Sequence, residues 1–240
     1  MTTEVQVAQH AATTDEAEMH PMLLATFAEH AAATYDKQTY LGDLIGDLPW
    51  EFEMETGLLK FGDRYRWRTQ IIGTHSERSG LWLWGWANES SGLPDELVLA
   101  SRSLRALGLQ YGIGQLCEVH LPTNRHDGHF WSVIAAGLCS SNAYYCGAYE
   151  GGAVFLLIHD PIYRQVIEQP LVRFASLLPK ALSTFDITDH RLTVKGYARF
   201  LGLELEEVGD RLTVRDGAGR QMVAHFNEHR RLTDLAGDAD

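Results

Sequence analysis

Residues 50–68 read WEFEMETGLLKFGDRYRWR, and the pattern in this stretch decides the fold. Trp50, Phe52 and Met54 alternate with Glu51, Glu53 and Glu55, the two-residue period of a strand with one buried face. A turn at Thr56-Gly57 predicts pairing of Met54 with Leu59, Phe52 with Phe61 and Glu53 with Lys60, so that apolar meets apolar and acid meets base. A second turn at Gly62-Asp63-Arg64 sets Phe61 beside Tyr65 and Leu59 beside Trp67. Three antiparallel strands result, with Glu51, Glu53, Glu55, Lys60, Arg66 and Arg68 on the polar face. Arg64, Arg66 and Arg68 form a row open to an anion, but the facing glutamates point first to solvated cross-strand ion pairs.

Outward from this hairpin, a polar turn at Ser76–Ser79 leads into GLWLWGWAN, residues 80–88. Read as one strand, it puts Trp82, Trp84 and Trp86 on one face and Leu81, Leu83, Gly85 and Ala87 on the other. Neither face looks wet. Three indoles are either an aromatic core layer under a helix or a stacking platform for a ligand or partner, with Asn88, Tyr144 and Tyr145 as its polar companions. Before the hairpin, Leu23, Leu24, Phe27, Ala31, Tyr35, Leu41, Leu44 and Ile45 recur at near-helical spacing up to Gly46. After the tryptophans come a helix from Asp95 to Tyr111, a second capped near Asp127, and a hairpin of residues 143–149 and 153–160. Helices at 170–182 and 190–201 precede a meander of residues 203–208, 211–215, 221–226 and 232–235.

The expected fold is α+β: an antiparallel sheet packed with helices, followed by a C-terminal helix and small β-meander. By sequence the chain divides into a mobile acidic tail (1–19), a main domain (20–160) and a C-terminal subdomain (161–240), which is either separate or continuous with the first. The same element order occurs in small roadblock-like sandwiches that work as dimers, an analogy of topology that admits a homodimer.

The 240 residues carry 32 acids against 20 Lys and Arg, a formal charge of -12. Residues 1–49 hold eight acids and one lysine, whereas residues 50–88 balance at five and five. Such a chain repels phosphates, so no nucleic-acid partner is expected. Three cysteines, Cys117, Cys139 and Cys146, are too few for a disulfide framework, and no leader pattern is read at the N-terminus. A cytoplasmic location is expected. Residues 130–149 have no formal charge, but they read as a buried helix followed by a strand, so no membrane partner is expected.

Chemistry concentrates in residues 117–129. Cys117, His120, His126 and His129 are ligand types that zinc takes, but their spacing belongs to no zinc module, and a polar loop around one small buried cysteine accounts for them without metal, so no metal site is favoured. His126, Asp127 and His129, with Cys117, would centre a metal-assisted or Cys/His-dependent hydrolase. Asp127 is first of all an N-cap, and the helix start it caps could instead face an acidic ligand. GIGQLC at 112–117 lacks the third glycine of a dinucleotide fingerprint, and no cofactor is expected.

WEFEMETGLLKFG, IIGTHS, GLWLWGWANES and DGHFWSVIAAGLCSSNAYYCGAYEGGAVFLLI together resemble a bacterial domain family of unknown function, marked by a WxWxWAN strand. FDITDHRLTVKGYARFLGL and the terminal meander resemble the segment that trails this motif in the family, so the resemblance spans residues 20–236. It implies an architecture and no reaction. The expectation is a non-catalytic binding or protein-interaction module for an unidentified protein or small molecule, using the tryptophan strand, with the hydrolase as the alternative. On that expectation Trp84→Ala weakens binding more than stability.

Overall fold

The structure is a computed structural model and describes residues 19–237; the rest of the expected tail, residues 1–18, lies outside the described residues. Strand β1 (Trp50–Glu53) pairs antiparallel with β2 (Leu58–Phe61), but two residues away from the expected register. Phe52 faces Leu59 and Trp50 faces Phe61. The cause is the turn: Gly57 adopts a positive φ of 70°, donates its amide to Glu53 O at 2.8 Å, and closes a four-residue loop that leaves Met54 off the sheet. Because side chains alternate with period two, a two-residue slip keeps every residue on its expected face. Lys60 still pairs with Glu53, across the diagonal.

Strand β3 (Tyr65–Ser76) is longer than expected. Its first part pairs with β2 in the predicted register, Phe61 with Tyr65 and Leu59 with Trp67. Gly73, Thr74 and Ser76 lie within β3 and pair with β4 (Leu81–Trp84), so the turn expected at Ser76–Ser79 begins one residue later, at residue 77. The tryptophan strand therefore ends at Trp84. Residues 85–87 form a 3-10 turn, and Gly85 presses so closely on β3 that a Cβ there would sit 2.7 Å from Ile71 O. Trp86 is thereby lifted out of the Trp82–Trp84 register, and the guanidinium of Arg105 lies 4.2 Å above its ring.

Helix α1 (Pro21–Ile45) precedes the sheet; α2 (Leu99–Tyr111), β5 (His120–Pro122), α3 (Gly128–Leu138), β6 (Ala143–Tyr149) and β7 (Gly152–Ile158) follow it. Strand β7 pairs with β3 on the edge away from β4, and β6 pairs with β7, completing a seven-stranded sheet. One sheet face carries Ile72, Trp82, Trp84, Tyr144, Phe155 and Leu157 against α1 and α3. Leu59, Phe61, Trp67, Ile71, Leu156 and Ile158 form a separate core on the other side, joined by Leu97, Val98 and Leu41. The central strands are covered on both faces, as their near-continuous apolarity demands. No helix among the described residues is long and apolar enough to cross a membrane.

Beyond residue 161 come α4 (Pro170–Thr184), α5 (His190–Phe200), and a four-stranded meander of β8 (Glu204–Val208), β9 (Arg211–Arg215), β10 (Gln221–Phe226) and β11 (Leu232–Gly237). Helix α1 ties this part to the rest. Its Leu23, Phe27, Ala28 and Ala31 pack in the first core, while Ala32 and Ala33 pack with Phe174, Tyr197 and Leu212 in the C-terminal core. A helix apolar on several sides is one buried on several sides, and runs of alanine allow the close approach. At the α1–α5 crossing, a Cβ on Gly196 would sit 1.9 Å from Glu29 O, a backbone atom that cannot swing aside. Gly196→Ala is therefore expected to cost about 1–3 kcal/mol by overpacking. Gly42→Ala, inside α1 with nothing within 4 Å, is expected to gain up to about 1 kcal/mol from helix propensity. Thermal denaturation of the two variants should show shifts of opposite sign.

Candidate functional site

Helix α3 begins where the sequence places a cap. Asp127 is extended and its Oδ1 accepts the amides of His129 and Phe130 at 2.9 and 3.0 Å, satisfying two orphan donors of the first turn. Gly128 lets this start sit tight on β7, since a Cβ there would lie 2.2 Å from the Phe155 ring. The seating fixes the two flanking histidines. The His126 ring lies tilted against Phe130 at 4.1 Å, and His129 Nδ1 lies 2.9 Å from the hydroxyl of Tyr144 on β6.

These residues line a cleft of about 530 Å³ between α1, the start of α3 and the end of α4. One side is aromatic: Phe27 stacks on Phe130 at 4.7 Å, and Phe185 meets Phe27 and Tyr35 edge-on at 5.6 and 6.2 Å. The other is polar, with Gln38, Arg125, His126, Asp127, His129, Tyr144 and Asp186. Gln38 Oε1 accepts the Tyr144 amide at 3.1 Å, which covers the outer edge of β6 and fixes the Gln38 side chain at the cleft. Burial, then Arg125, lowers the His126 pKa, with Asp127 and Asp186 acting against them, so this imidazole is neutral at neutral pH. Burial also pushes the Tyr144 phenol up, keeping it protonated as a hydrogen-bonding group.

A family model for DUF6882, described as a family of unknown function, matches residues 24–161. The chain belongs to DUF6882. The match is shorter than the resemblance implied, ending soon after β7 and leaving α4, α5 and the meander outside it. No curated protein and no solved structure matches the chain. Most of the cleft, from Leu24 to Tyr144, is DUF6882 sequence, but Thr184, Phe185 and Asp186 come from beyond it.

The structure separates the residues expected to act together. Trp82 and Trp84 are fully buried, so neither offers a surface: Trp84 Nε1 donates to Gln115 O at 3.1 Å, and its ring meets Trp82 and Trp131 edge-on. Of the two readings of the tryptophans, these two take the core layer. Tyr144 and Tyr145 point to opposite faces of β6, and Tyr145 packs on Phe61 and Trp50, away from the cleft. Asn88 lies on a second cleft of about 520 Å³, with Trp50, Phe52 and Tyr149, where its Oδ1 accepts the hydroxyls of Ser90 and Ser91. Arg66 and Arg68 are exposed on the sheet and line neither cleft.

The cluster in residues 117–129 also divides. Cys117 lies against Gly108 of α2 and donates to Arg105 O, His120 is on the edge strand β5, and only His126 and His129 reach the cleft. Among the described residues no three His, Cys, Asp or Glu side chains come together as a metal site. All three cysteines are free; burial raises the Cys139 thiol to about 11 and pushes Cys146 up as well, which leaves little thiolate for attack. Phe27, Tyr35, Gln38, Phe185 and Asp186 carried no mark in the sequence. On the helical spacing of α1, Phe27 and Tyr35 are indistinguishable from its core stripe.

Proposed function

We propose that this DUF6882 chain is a non-catalytic binding module whose ligand is a small molecule with a planar aromatic part, held in the cleft between α1, α3 and α4. The juxtaposition of the Phe27–Phe130–Phe185 wall with Gln38, His126, His129 and Tyr144 carries the reading. Apolar clefts with a few convergent polar groups are the common form of small-molecule sites. The ring faces supply stacking, and the imidazoles and amide fix orientation. The tryptophan strand then acts from behind, packing the sheet on which α3 and Tyr144 are seated.

The test is an NMR titration of the imidazole resonances with a set of simple aromatic compounds. His126 and His129 should shift with at least some of them, and His126→Ala, which removes a ring packed against Phe130, should weaken binding about 5-fold, a loss on the scale of one aromatic contact. Imidazole resonances that no compound moves would overturn the reading.

The 2.9 Å contact of His129 with Tyr144 inside the same cleft favours one second reading, hydrolysis by a His-centred acid–base pair. It expects cleavage of an activated phenyl ester that His129→Ala abolishes. A rate no faster than that of the variant removes it.

A further inference from the structure

We propose that Asp186 and Phe185, which lie beyond the family-matched region, complete this cleft and select a ligand that carries a protonated amine on its aromatic part. The inference rests on the binding reading above and goes further, because it assigns the charge of the ligand and the residues that choose it. Phe185 follows the last turn of α4, its amide bonded to Ala181 O, and its ring closes the aromatic wall against Phe27 and Tyr35. The next residue, Asp186, is exposed at the cleft, opposite the start of α3. Among the described residues the lining thus holds two carboxylates, Asp127 and Asp186, and one cation, Arg125. One oxygen of Asp127 is engaged with the α3 amides, whereas Asp186 belongs to no helix cap and to no ion pair among the described residues. Both carboxylates act on the same ring, that of His126, so their fields converge at the His126–Phe130 ring pair.

Aromatic faces and carboxylates favour the same ligand for different reasons. The negative ring face attracts a cation through its quadrupole, and a carboxylate attracts it through charge. The chain as a whole adds to this, with a formal charge of -12 that draws cations toward it. A carboxylate-bearing ligand would meet repulsion from Asp186 and Asp127 together. Placing the selecting carboxylate on the C-terminal part also divides the tasks: DUF6882 residues supply most of the stacking wall and the hydrogen bonds, and the segment after them closes the wall with Phe185 and supplies the charge specificity.

The experiment is a titration of the full chain with phenethylamine, phenethyl alcohol and phenylpropionate, followed by the same His126 and His129 resonances, in the natural protein and in Asp186→Asn. The amine should bind about 5- to 10-fold more tightly than the alcohol, with the carboxylate weakest, as expected for one ion pair at a half-open site. Asp186→Asn should cut that preference to about 2-fold or less, with the amine losing far more affinity than the alcohol. Because Asp186 is exposed, the variant is expected to fold normally, with an unchanged thermal midpoint. Equal binding of all three probes, a preference for the carboxylate, or an amine preference that survives Asp186→Asn would overturn this inference while the binding reading stands. Binding of none would overturn both.

Discussion

Trp84→Ala is expected to lower the unfolding free energy by about 3–5 kcal/mol, the usual cost of truncating a fully buried large aromatic side chain. The indole is 0% exposed and meets Trp82 at 5.4 Å and Trp131 at 5.3 Å, both edge-on, so its removal opens a void between the sheet and α3. The hydrogen bond from Nε1 to Gln115 O is lost as well, which leaves no route by which simple collapse restores the contacts. Urea denaturation gives the magnitude. In the molecules that stay folded, affinity for an aromatic probe in the cleft should be unchanged, the reverse of what a surface platform implies. A loss below about 1 kcal/mol combined with abolished binding would return Trp84 to a ligand-contacting role. Trp86→Ala is the internal comparison: its ring is only part-buried beneath Arg105, and the loss should be clearly smaller.

Asp36→Ala is expected to cost a similar amount, about 3–5 kcal/mol, because it leaves a buried charge network without its centre. Asp36 is fully buried in α1, and its two oxygens accept from Arg173 Nε and Nη2 on α4, from the Tyr197 hydroxyl on α5 at 2.7 Å, and from Gln165. The carboxylate raises the Arg173 pKa by this pairing and holds the guanidinium ionised. One residue thereby joins three helices across 161 positions of sequence. Removing it strands the guanidinium and the phenol against α1, where water reaches Arg173 only in part, its side chain being 28% exposed. For a chain of this size the loss corresponds to roughly 6–20 °C in Tm. Replacing Asp36 and Arg173 together by leucine should cost less than Asp36→Ala alone, since removing the pair whole leaves no unpaired charge, only the neutral Tyr197 hydroxyl and Gln165 amide without their acceptor. A cost near that of a surface substitution for Asp36→Ala would mean that apolar packing alone holds α4 and α5 to α1.

Most of the elements were legible along the chain. The bounds of β9 and β10 coincide with expectation, and α1 and α5 differ from it by a residue or so at either end, because each has a clear period and a glycine, proline or cap to punctuate it. Two misreadings share a cause. Residues 80–88 alternate without a break, yet the strand stops at Trp84, where Gly85 meets β3 from the side; alternation reports burial, not hydrogen-bond pairing. Likewise, the β1–β2 register slipped by two because Gly57, with its positive φ, set the loop length, and period-two patterning is blind to a shift of two. Gly73 and Thr74, small and polar, carry no strand signal of their own and are strand because β4 and β7 both pair with them.

The candidate site was legible only in part. Asp127 was recognisable as a cap from its position before an apolar run, and His126 and His129 stood out by residue type. Nothing local distinguishes Phe27, Tyr35 or Phe185 from the core residues around them.

By itself the sequence determined the class of fold, the order and most bounds of its elements, the faces of its strands and the cap of α3. These arise from local backbone preference and the period of apolar residues, which act over a few positions. The tertiary structure decided which aromatic residues are core and which line a cleft, that α1 serves three cores, and that Asp186 and Asp127, 59 positions apart in sequence, line the same cleft. Those outcomes depend on how packed helices and sheets bring distant residues within a few ångströms, and no periodicity along one segment carries that information.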